Sequence, residues 1–197
     1  MEKPQATVIV AQAPMCLLHA WPLLARLRNN FNWKIVYLTR NKDDGHNSEM
    51  VKAWEHTGVE LDFLQSEHVN EDEDNFEISF DQDVATSKIK TACAGSDLLV
   101  THNHLGDHGH VYNVFVNSVV SEIDIPKIYF GHSDDNNNNL MIWPKTYGNL
   151  QIPIDKLRWT KEWIITPSPL GKYQCDTEAV QFLKTHTTGL NFDLPRA

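Results

Sequence analysis

The sequence predicts a three-layer α/β sandwich with a mostly parallel sheet and helices on both faces. Two observations carry this prediction. Five short runs of β-branched and apolar residues alternate with helical segments through the first 130 residues of the 197-residue chain. The composition, 41% hydrophobic and 22% charged, is that of a globular domain with a substantial core. Strand–helix alternation implies parallel strands joined by right-handed crossovers.

Each predicted strand is a short apolar run bounded by polar or turn-forming residues. The predicted strands are 7–11, 33–38, 59–64, 97–101 and 126–130. A buried helix is expected over 17–28, where Pro22 either kinks the helix or marks its true start. A second helix is expected from a cap at Asn47 or Ser48 through about Thr57, with Gly58 as its stop signal.

The remaining helices and loops follow the same patterns. Further helices are predicted over 83–94, from about His110 to Glu122, over 154–165 and over 176–186. The acidic stretch 65–82 and the polar run 134–139 are predicted to be surface loops. With no internal repeat or dividing linker, residues 1–197 are predicted to form one domain that is irregular from about residue 131.

Composition excludes several classes of function. The formal net charge is −9, so a phosphate-neutralising nucleic-acid surface is not expected. The three cysteines, Cys16, Cys93 and Cys175, lie far apart, and no CxxC pair is present, which favours a reducing compartment and a cytoplasmic location. No run approaches the roughly 20 apolar residues of a membrane span. Neither a nucleic acid nor a membrane is therefore an expected partner.

Histidines are concentrated directly after the fourth predicted strand. The run THNHLGDHGH at 101–110 contains four of the chain's 10 histidines together with Asp107. Because loops after parallel strands share one edge of the sheet, the loops after residues 11, 38, 101 and 130 should converge there. Imidazole and carboxylate groups are ligands for catalytic zinc and general acids or bases near neutral pH. His110, Asn113 and Asn117 are predicted to share one helical face.

Several common catalytic signatures are missing. The sequence contains no GxGxxG, no GxxxxGK followed by Ser or Thr, no HExxH and no GxSxG. The dinucleotide, P-loop, zincin and α/β-hydrolase interpretations therefore lack support. Cys16 follows the first strand and could act as a nucleophile, but a small buried apolar role is the better interpretation.

The segment LLVTHNHLGDHGHVYNVFVNSVV resembles the second signature of the LmbE/PIG-L family of zinc-dependent deacetylases. That signature is a strand, then approximately T-H-N-x-x-G-D/E-x-G-H-x-x-H, then a helix. IVYLTRNKDDGHNSEMVKAWEHTGVELDFL also resembles that family's order of strand, polar loop, helix and strand, and the resemblance spans roughly residues 7–130. It implies a Rossmann-like fold and hydrolysis of an N-acetyl group on a glucosamine-containing substrate, in which zinc polarises the carbonyl and activates water.

The first signature of that family, A-H-P-D-D-E, is not kept. The ligand histidine falls on Gln12, the base on Pro14 and the ligand aspartate on Met15. In the second signature the last ligand histidine falls on Asn113, whereas the oxyanion-stabilising histidine is kept as His110. Amides and a thioether are poor zinc ligands and a proline cannot act as a base. The resemblance thus implies a deacetylase-like carbon–nitrogen hydrolase fold with its usual zinc site replaced and no cofactor.

Other interpretations remain open. Zinc could bind to relocated ligands, His104 and His108 first, with contributions from His102, Asp107 and His19. A metal-independent glycosyltransferase or nucleotide-sugar-binding protein could stack its ligand on Trp143 or Tyr147, and a non-catalytic binding protein could use Trp159 and Trp163. The predicted catalytic residues are His110 and Asp107. The predicted substrate-binding residues are Gln12, Arg40, His102, Asn103, His104 and Asn113.

Overall fold

A computed structural model describes ten stretches of the chain. They are residues 2–12, 19–39, 45–55, 57–66, 78, 80–106, 110–131, 138–142, 171–190 and 192. The helix predicted over 154–165 lies outside these residues. The same holds for Trp143, Tyr147, Trp159 and Trp163.

The described residues form seven strands and five helices. In chain order they are β1 (Gln5–Val10), α1 (Trp21–Leu27), β2 (Asn32–Thr39), α2 (Gly45–Trp54), β3 (Glu60–Ser66), α3 (Gln82–Cys93), β4 (Leu98–Thr101), α4 (Val111–Ser121), β5 (Lys127–Phe130), β6 (Asn139–Ile142), β7 (Gly171–Cys175) and α5 (Thr177–His186).

All seven strands belong to one sheet, in the order β3-β2-β1-β4-β5-β7-β6. The first five strands pair in parallel, and Val8 at the centre of β1 lies opposite Ile35 on one side and Val100 on the other. β7 is antiparallel to both β5 and β6. The predicted, mostly parallel α/β sheet is therefore confirmed, and the antiparallel pair at one edge is an addition to it.

The sheet buries both of its faces, as a parallel sheet requires. Successive side chains of a strand point to opposite faces. Val8 and Val10 accordingly pack in one core with residues of α1, α2 and α5, whereas Ile9 and Ala11 pack in a second core with residues of α3 and α4. Helices thus cover both faces, which confirms the predicted three layers.

Local sequence signals set most helix boundaries. Pro22 lies in the first turn of α1, so it marks the true start of that helix. Asp81 caps α3 by accepting hydrogen bonds from the backbone N–H groups of Asp83 and Val84. Asp176 caps α5 in the same way, through the N–H of Ala179. A polar side chain at each of these positions supplies an acceptor that the first helical turn lacks.

Two boundary predictions were wrong. α2 begins at Gly45, so Asn47 and Ser48 lie inside the helix and do not cap it. The polar run that was predicted to be a loop ends in a strand, because Asn139 begins β6 and is buried. Asn139 sits opposite Gln174 of β7, and this pairing supplies a buried backbone with hydrogen bonds that a loop would not offer.

No helix among the described residues is long and apolar enough to cross a membrane. Cys93 and Cys175 are buried thiols that form no disulfide.

Candidate functional site

The strand order creates a switch point between β1 and β4. From β1 the chain continues outward through β2 and β3, and it then crosses back to place β4 on the other side of β1. Loops at the carboxyl ends of two such strands diverge to opposite faces, which leaves a crevice where ligands bind in open α/β sheets. The residues that directly follow β1 and β4 therefore form the candidate site.

One side-chain hydrogen bond joins the two loops at this switch point. The backbone N–H of Ala11, after β1, donates to Nε2 of His102, after β4, at 3.1 Å. Both residues are fully buried. Because Nε2 accepts, that nitrogen carries no proton in this arrangement. The bond gives His102 a role within the protein, and its predicted contact with substrate stays a prediction.

Backbone carbonyl groups at the end of β1 are also held from both sides. The carbonyl oxygen of Ala11 accepts from the backbone N–H of Thr39 at 3.1 Å and from its Oγ1 at 2.8 Å. Thr101 Oγ1 donates to the carbonyl oxygen of Ile9 at 3.0 Å. Gln12, the next residue, is half-buried and directly follows this fixed backbone at the end of β1.

The loop after β4 folds into a tight turn around Asn103. Its Oδ1 accepts from the backbone N–H of Leu105 at 2.9 Å, and its carbonyl oxygen accepts from the N–H of Gly106 at 3.0 Å. Gly106 has a φ of +64°, and a Cβ there would lie 2.7 Å from Cγ2 of Val114. Only glycine adopts this conformation and fits against α4 without strain.

Two asparagines of α4 hold that turn through hydrogen bonds to its backbone carbonyl groups. Asn117 Nδ2 donates to the carbonyl oxygen of His102 at 2.8 Å, and Asn113 Nδ2 donates to that of Gly106 at 3.1 Å. Asn113 is only 3% exposed, and its Oδ1 finds no hydrogen-bond partner in the described part of the chain. A buried acceptor in this state is unusual and costs stability.

The end of β5 completes the edge. Asn103 Nδ2 donates to the carbonyl oxygen of Phe130 at 3.0 Å, and a Cβ on Gly131 would lie 2.9 Å from that nitrogen. The Phe130 ring contacts two imidazoles, with His19 stacked at 5.3 Å and His102 edge-on at 5.5 Å between ring centroids. Sequence reasoning missed Phe130 as part of the site, although its position at the end of a predicted strand was an available signal.

The other predicted site residues divide into two groups. His110 is the N-cap residue of α4 and is exposed, with its ring 5.4 Å from that of Tyr112, so it does not share the buried helical face of Asn113 and Asn117. His104 is exposed on the turn. Arg40, Asp107 and His108 lie outside the described residues, as do Pro14, Met15 and Cys16.

The described side chains do not fit the zinc ion that the resemblance implies. Gln12 and Asn113 offer amide groups, and the Nε2 lone pair of His102 is engaged by Ala11. In the stretches that the structure describes, no three His, Cys, Asp or Glu side chains converge as a ligand set. Zinc sites in proteins are built from imidazole, thiolate and carboxylate groups.

The two described thiols are poor candidates for a nucleophile. Burial raises the pKa of Cys93 to about 12, although the charge of Lys34 acts in the opposite direction. Burial also raises the pKa of Cys175, and the charge of Asp176 adds to that effect. The thiolate is the reactive form, so both residues stay inert near neutral pH.

A separate groove of about 580 Å³ lies along the outer strand β3 and α3. Lys34 and Asp62 face each other in it, with Nζ and Oδ2 3.1 Å apart. Lys88 closes one side by donating from Nζ to the carbonyl oxygen of Leu64 at 2.7 Å. Two strands separate β3 from β4, so this groove is distinct from the crevice at the switch point.

No protein-family model matches the chain, and no curated protein matches it. The fold is similar to solved structures. The 4-carboxy-2-hydroxymuconate hydratase GalB from Pseudomonas putida KT2440 has a TM-score of 0.55 and 13% identity, with 88% of this chain and 95% of that chain covered. The A40926 pseudoaglycone deacetylase Dbv21 has a TM-score of 0.53 and 10% identity, with 90% and 99% covered.

A third similar structure is N,N'-diacetylchitobiose deacetylase from Pyrococcus horikoshii. It has a TM-score of 0.52 and 11% identity, with 90% of this chain and 85% of that chain covered. The neighbours thus include deacetylases of the LmbE/PIG-L type. At these identities the likeness establishes the fold, and the argument for function must come from the site.

Proposed function

We propose that this chain is an LmbE/PIG-L-like protein that binds or acts on an N-acetylated sugar or sugar conjugate, without the family's usual zinc site. The single observation that carries the proposal is the hydrogen bond between Ala11 and His102. It joins the segment that the resemblance aligns with the first signature to the segment that it aligns with the second, which supports a common ligand site.

The similar structures support the class of ligand. Two of them are deacetylases, of N,N'-diacetylchitobiose and of a pseudoaglycone. A third is a hydratase, so the shared fold accommodates more than one reaction. For this reason binding of an N-acetylated sugar is the primary claim, and hydrolysis of that sugar is a secondary one.

The chemistry of the described edge also supports a sugar ligand. Gln12 offers an amide group, and His104 and His110 offer exposed imidazoles. Amides and imidazoles both donate and accept hydrogen bonds, which matches the hydroxyl and acetamido groups of an N-acetylated sugar. These groups bring no fixed charge, so the ligand need not be ionic.

Hydrolysis at this site would use residues of the second signature. Asp107 would accept the proton of the attacking water, and His110 would donate a hydrogen bond to the oxygen of the tetrahedral intermediate. Collapse of that intermediate breaks the carbon–nitrogen bond, and the proton held by Asp107 passes to the departing nitrogen, which releases acetate and an amine. Pro14 occupies the base position of the first signature, which is why the proposal assigns the base to Asp107.

Isothermal titration calorimetry tests the proposal directly. N,N'-diacetylchitobiose is the probe, and chitobiose, which lacks both acetyl groups, is the matched control. We expect the acetylated sugar to bind at least about tenfold more tightly, the factor of one lost hydrogen-bonding group. Equal affinity for both sugars, or binding of neither, would contradict the proposal. Tighter binding of a nucleotide sugar would favour the transferase alternative.

A further inference from the structure

His19 and His102 both pack against the same buried aromatic ring, that of Phe130. Phe130 at the end of β5 is fully buried, and His19 covers one of its faces at 5.3 Å with an angle of 25° between the two rings. His102 meets Phe130 at 83°, edge-on. The two imidazoles come from the segments that follow β1 and β4, so His19 lies at the switch-point edge.

A hydroxyl group on the sheet holds the His19 backbone in place. Tyr173 of β7 donates from its OH to the carbonyl oxygen of His19 at 2.6 Å. The hydroxyl oxygen of Tyr173 in turn accepts from the backbone N–H of Leu23 at 3.1 Å. Tyr173 is 1% exposed. His19 and Ala20 have π-helical hydrogen bonding directly before α1, a local geometry that frequently occurs at functional sites.

Exposure distinguishes His19 from the other described imidazoles of this edge. His102 is fully buried and accepts from Ala11, whereas His104 and His110 are exposed. His19 is half-buried. His19 therefore combines a ring packed on Phe130 with partial exposure of the residue to solvent. Fixed and partly exposed side chains lose little conformational entropy when they bind a ligand.

We propose that His19 contacts the ligand of this site and that Tyr173 is the residue that positions it. This inference rests on the proposed function, and it names a contact outside both signature segments. The imidazole supplies a hydrogen bond to a sugar hydroxyl or acetamido group, and its outer face packs on the apolar C–H face of the sugar ring. The ligand is thus an uncharged N-acetylated sugar seated between His19 and the turn after β4.

Calorimetry with N,N'-diacetylchitobiose tests the contact. We expect His19→Ala to weaken binding about tenfold or more, and Tyr173→Phe to weaken it about threefold to tenfold, in line with one lost hydrogen bond. His186→Ala is the matched control, because His186 also packs on a phenylalanine, Phe182 at 4.2 Å, but lies on α5. Its affinity should equal that of the unaltered protein.

A double-mutant cycle separates positioning from general destabilisation. If Tyr173 acts through His19, adding Tyr173→Phe to His19→Ala should weaken binding by less than about twofold further. Full additivity of the two losses would overturn the positioning role. If the unaltered protein binds the sugar and the affinity of His19→Ala lies within about twofold of it, the contact with His19 is overturned but the proposed function is not. No binding to the unaltered protein would overturn the proposed function, and the inference with it.

Discussion

The backbone N–H of Ala11 donates to Nε2 of His102 at 3.1 Å, although 91 positions separate the two residues in the chain. The bond crosses the switch point of the sheet, where the loops after β1 and β4 part to opposite faces. It explains why a histidine follows β4: a buried backbone N–H needs an acceptor there, and the ring supplies one. The predictions below test this edge and what it can bind.

Removing the His102 ring should destabilise the fold. His102→Ala leaves the N–H of Ala11 without its acceptor and opens a cavity beside Phe130, so the free energy of unfolding should fall by about 2–4 kcal/mol. Urea denaturation measures the change. His104→Ala is the control, because His104 is exposed two residues away, and it should change stability by less than about 0.5 kcal/mol. Equal effects would contradict the structural role of His102.

Glycine at position 106 is required for two separable reasons. Its φ of +64° disfavours any other residue, and a Cβ would lie 3.0 Å from the backbone nitrogen of Val114. Gly95 has a φ of +80° with nothing within 4 Å of a Cβ, so Gly95→Ala isolates the conformational cost, about 1 kcal/mol. Gly106→Ala should cost about 2–4 kcal/mol in thermal or urea unfolding. Equal losses of stability in Gly106→Ala and Gly95→Ala would show that α4 shifts to accommodate the added methyl group.

Zinc should not be needed for this fold. A tightly held ion raises the melting temperature by mass action, so its removal lowers it. We expect chelation with EDTA to leave the melting temperature within about 1 °C and the dialysed protein to retain well under one zinc per chain, since amide groups replace imidazole ligands. Elemental analysis measures the metal content.

A gain-of-ligand variant provides the positive control for that experiment. Gln12→His, Met15→Asp and Asn113→His together restore the ligand types that the resemblance assigns to these positions. The triple variant should retain up to about one zinc per chain under the same dialysis. Zinc retained at that level by the unaltered protein would contradict the proposed loss of the site.

Asp176 should make stability depend on pH. Burial raises its pKa above the ordinary value of 3.8, although hydrogen bonds from the N–H groups of Ala179 and Lys127 act in the opposite direction. A carboxyl whose pKa is higher in the folded state binds its proton more tightly there. Its contribution to stability is therefore fully present below the unfolded pKa and is lost as pH rises through the folded pKa.

Comparison with Asp176→Asn, which does not titrate, isolates this effect. The unfolding free energy of the unaltered protein, relative to the variant, should be greater at about pH 3.5 than at about pH 7. Other carboxyl groups titrate alike in both proteins and cancel. Urea denaturation across this range provides the measurement, and a relative stability that rises with pH would show that the two hydrogen bonds outweigh burial.

Local patterns were sufficient to predict most elements of the first 130 residues. The β-branched run at 7–11 is β1, and the runs after it are β2 to β5, since buried parallel strands need apolar residues on both faces. Pro22 marks the start of α1, one of the two roles predicted for it, and Asp176 caps the helix predicted over 176–186. The single domain predicted for residues 1–197 stays a prediction.

β6 and β7 were not predicted from the sequence, because the main determinant of these strands is their pairing with each other. β7 contains Lys172 and Gln174 around Tyr173, so it presents no apolar run. The apolar run of β6 is short, residues 140–142, and it directly follows the polar run that predicts a loop. Their antiparallel pairing joins segments about 30 residues apart in the chain, roughly Leu140 to Tyr173. Strand pairs of this kind are stabilised by the partner strand and by burial against it, which depend on the tertiary structure.

The sequence by itself determined that polar loops would gather at the carboxyl edge, because all parallel strands end on the same side of a sheet. It also determined which residue types stand there, and hence the prediction that the family's usual zinc site is replaced. Only the tertiary structure decided the neighbours. Strand order sets them: placing β4 beside β1 joins His102 to Ala11, and placing β7 beside β5 brings Tyr173 to His19. Contacts between distant segments select that order, and no local pattern encodes them.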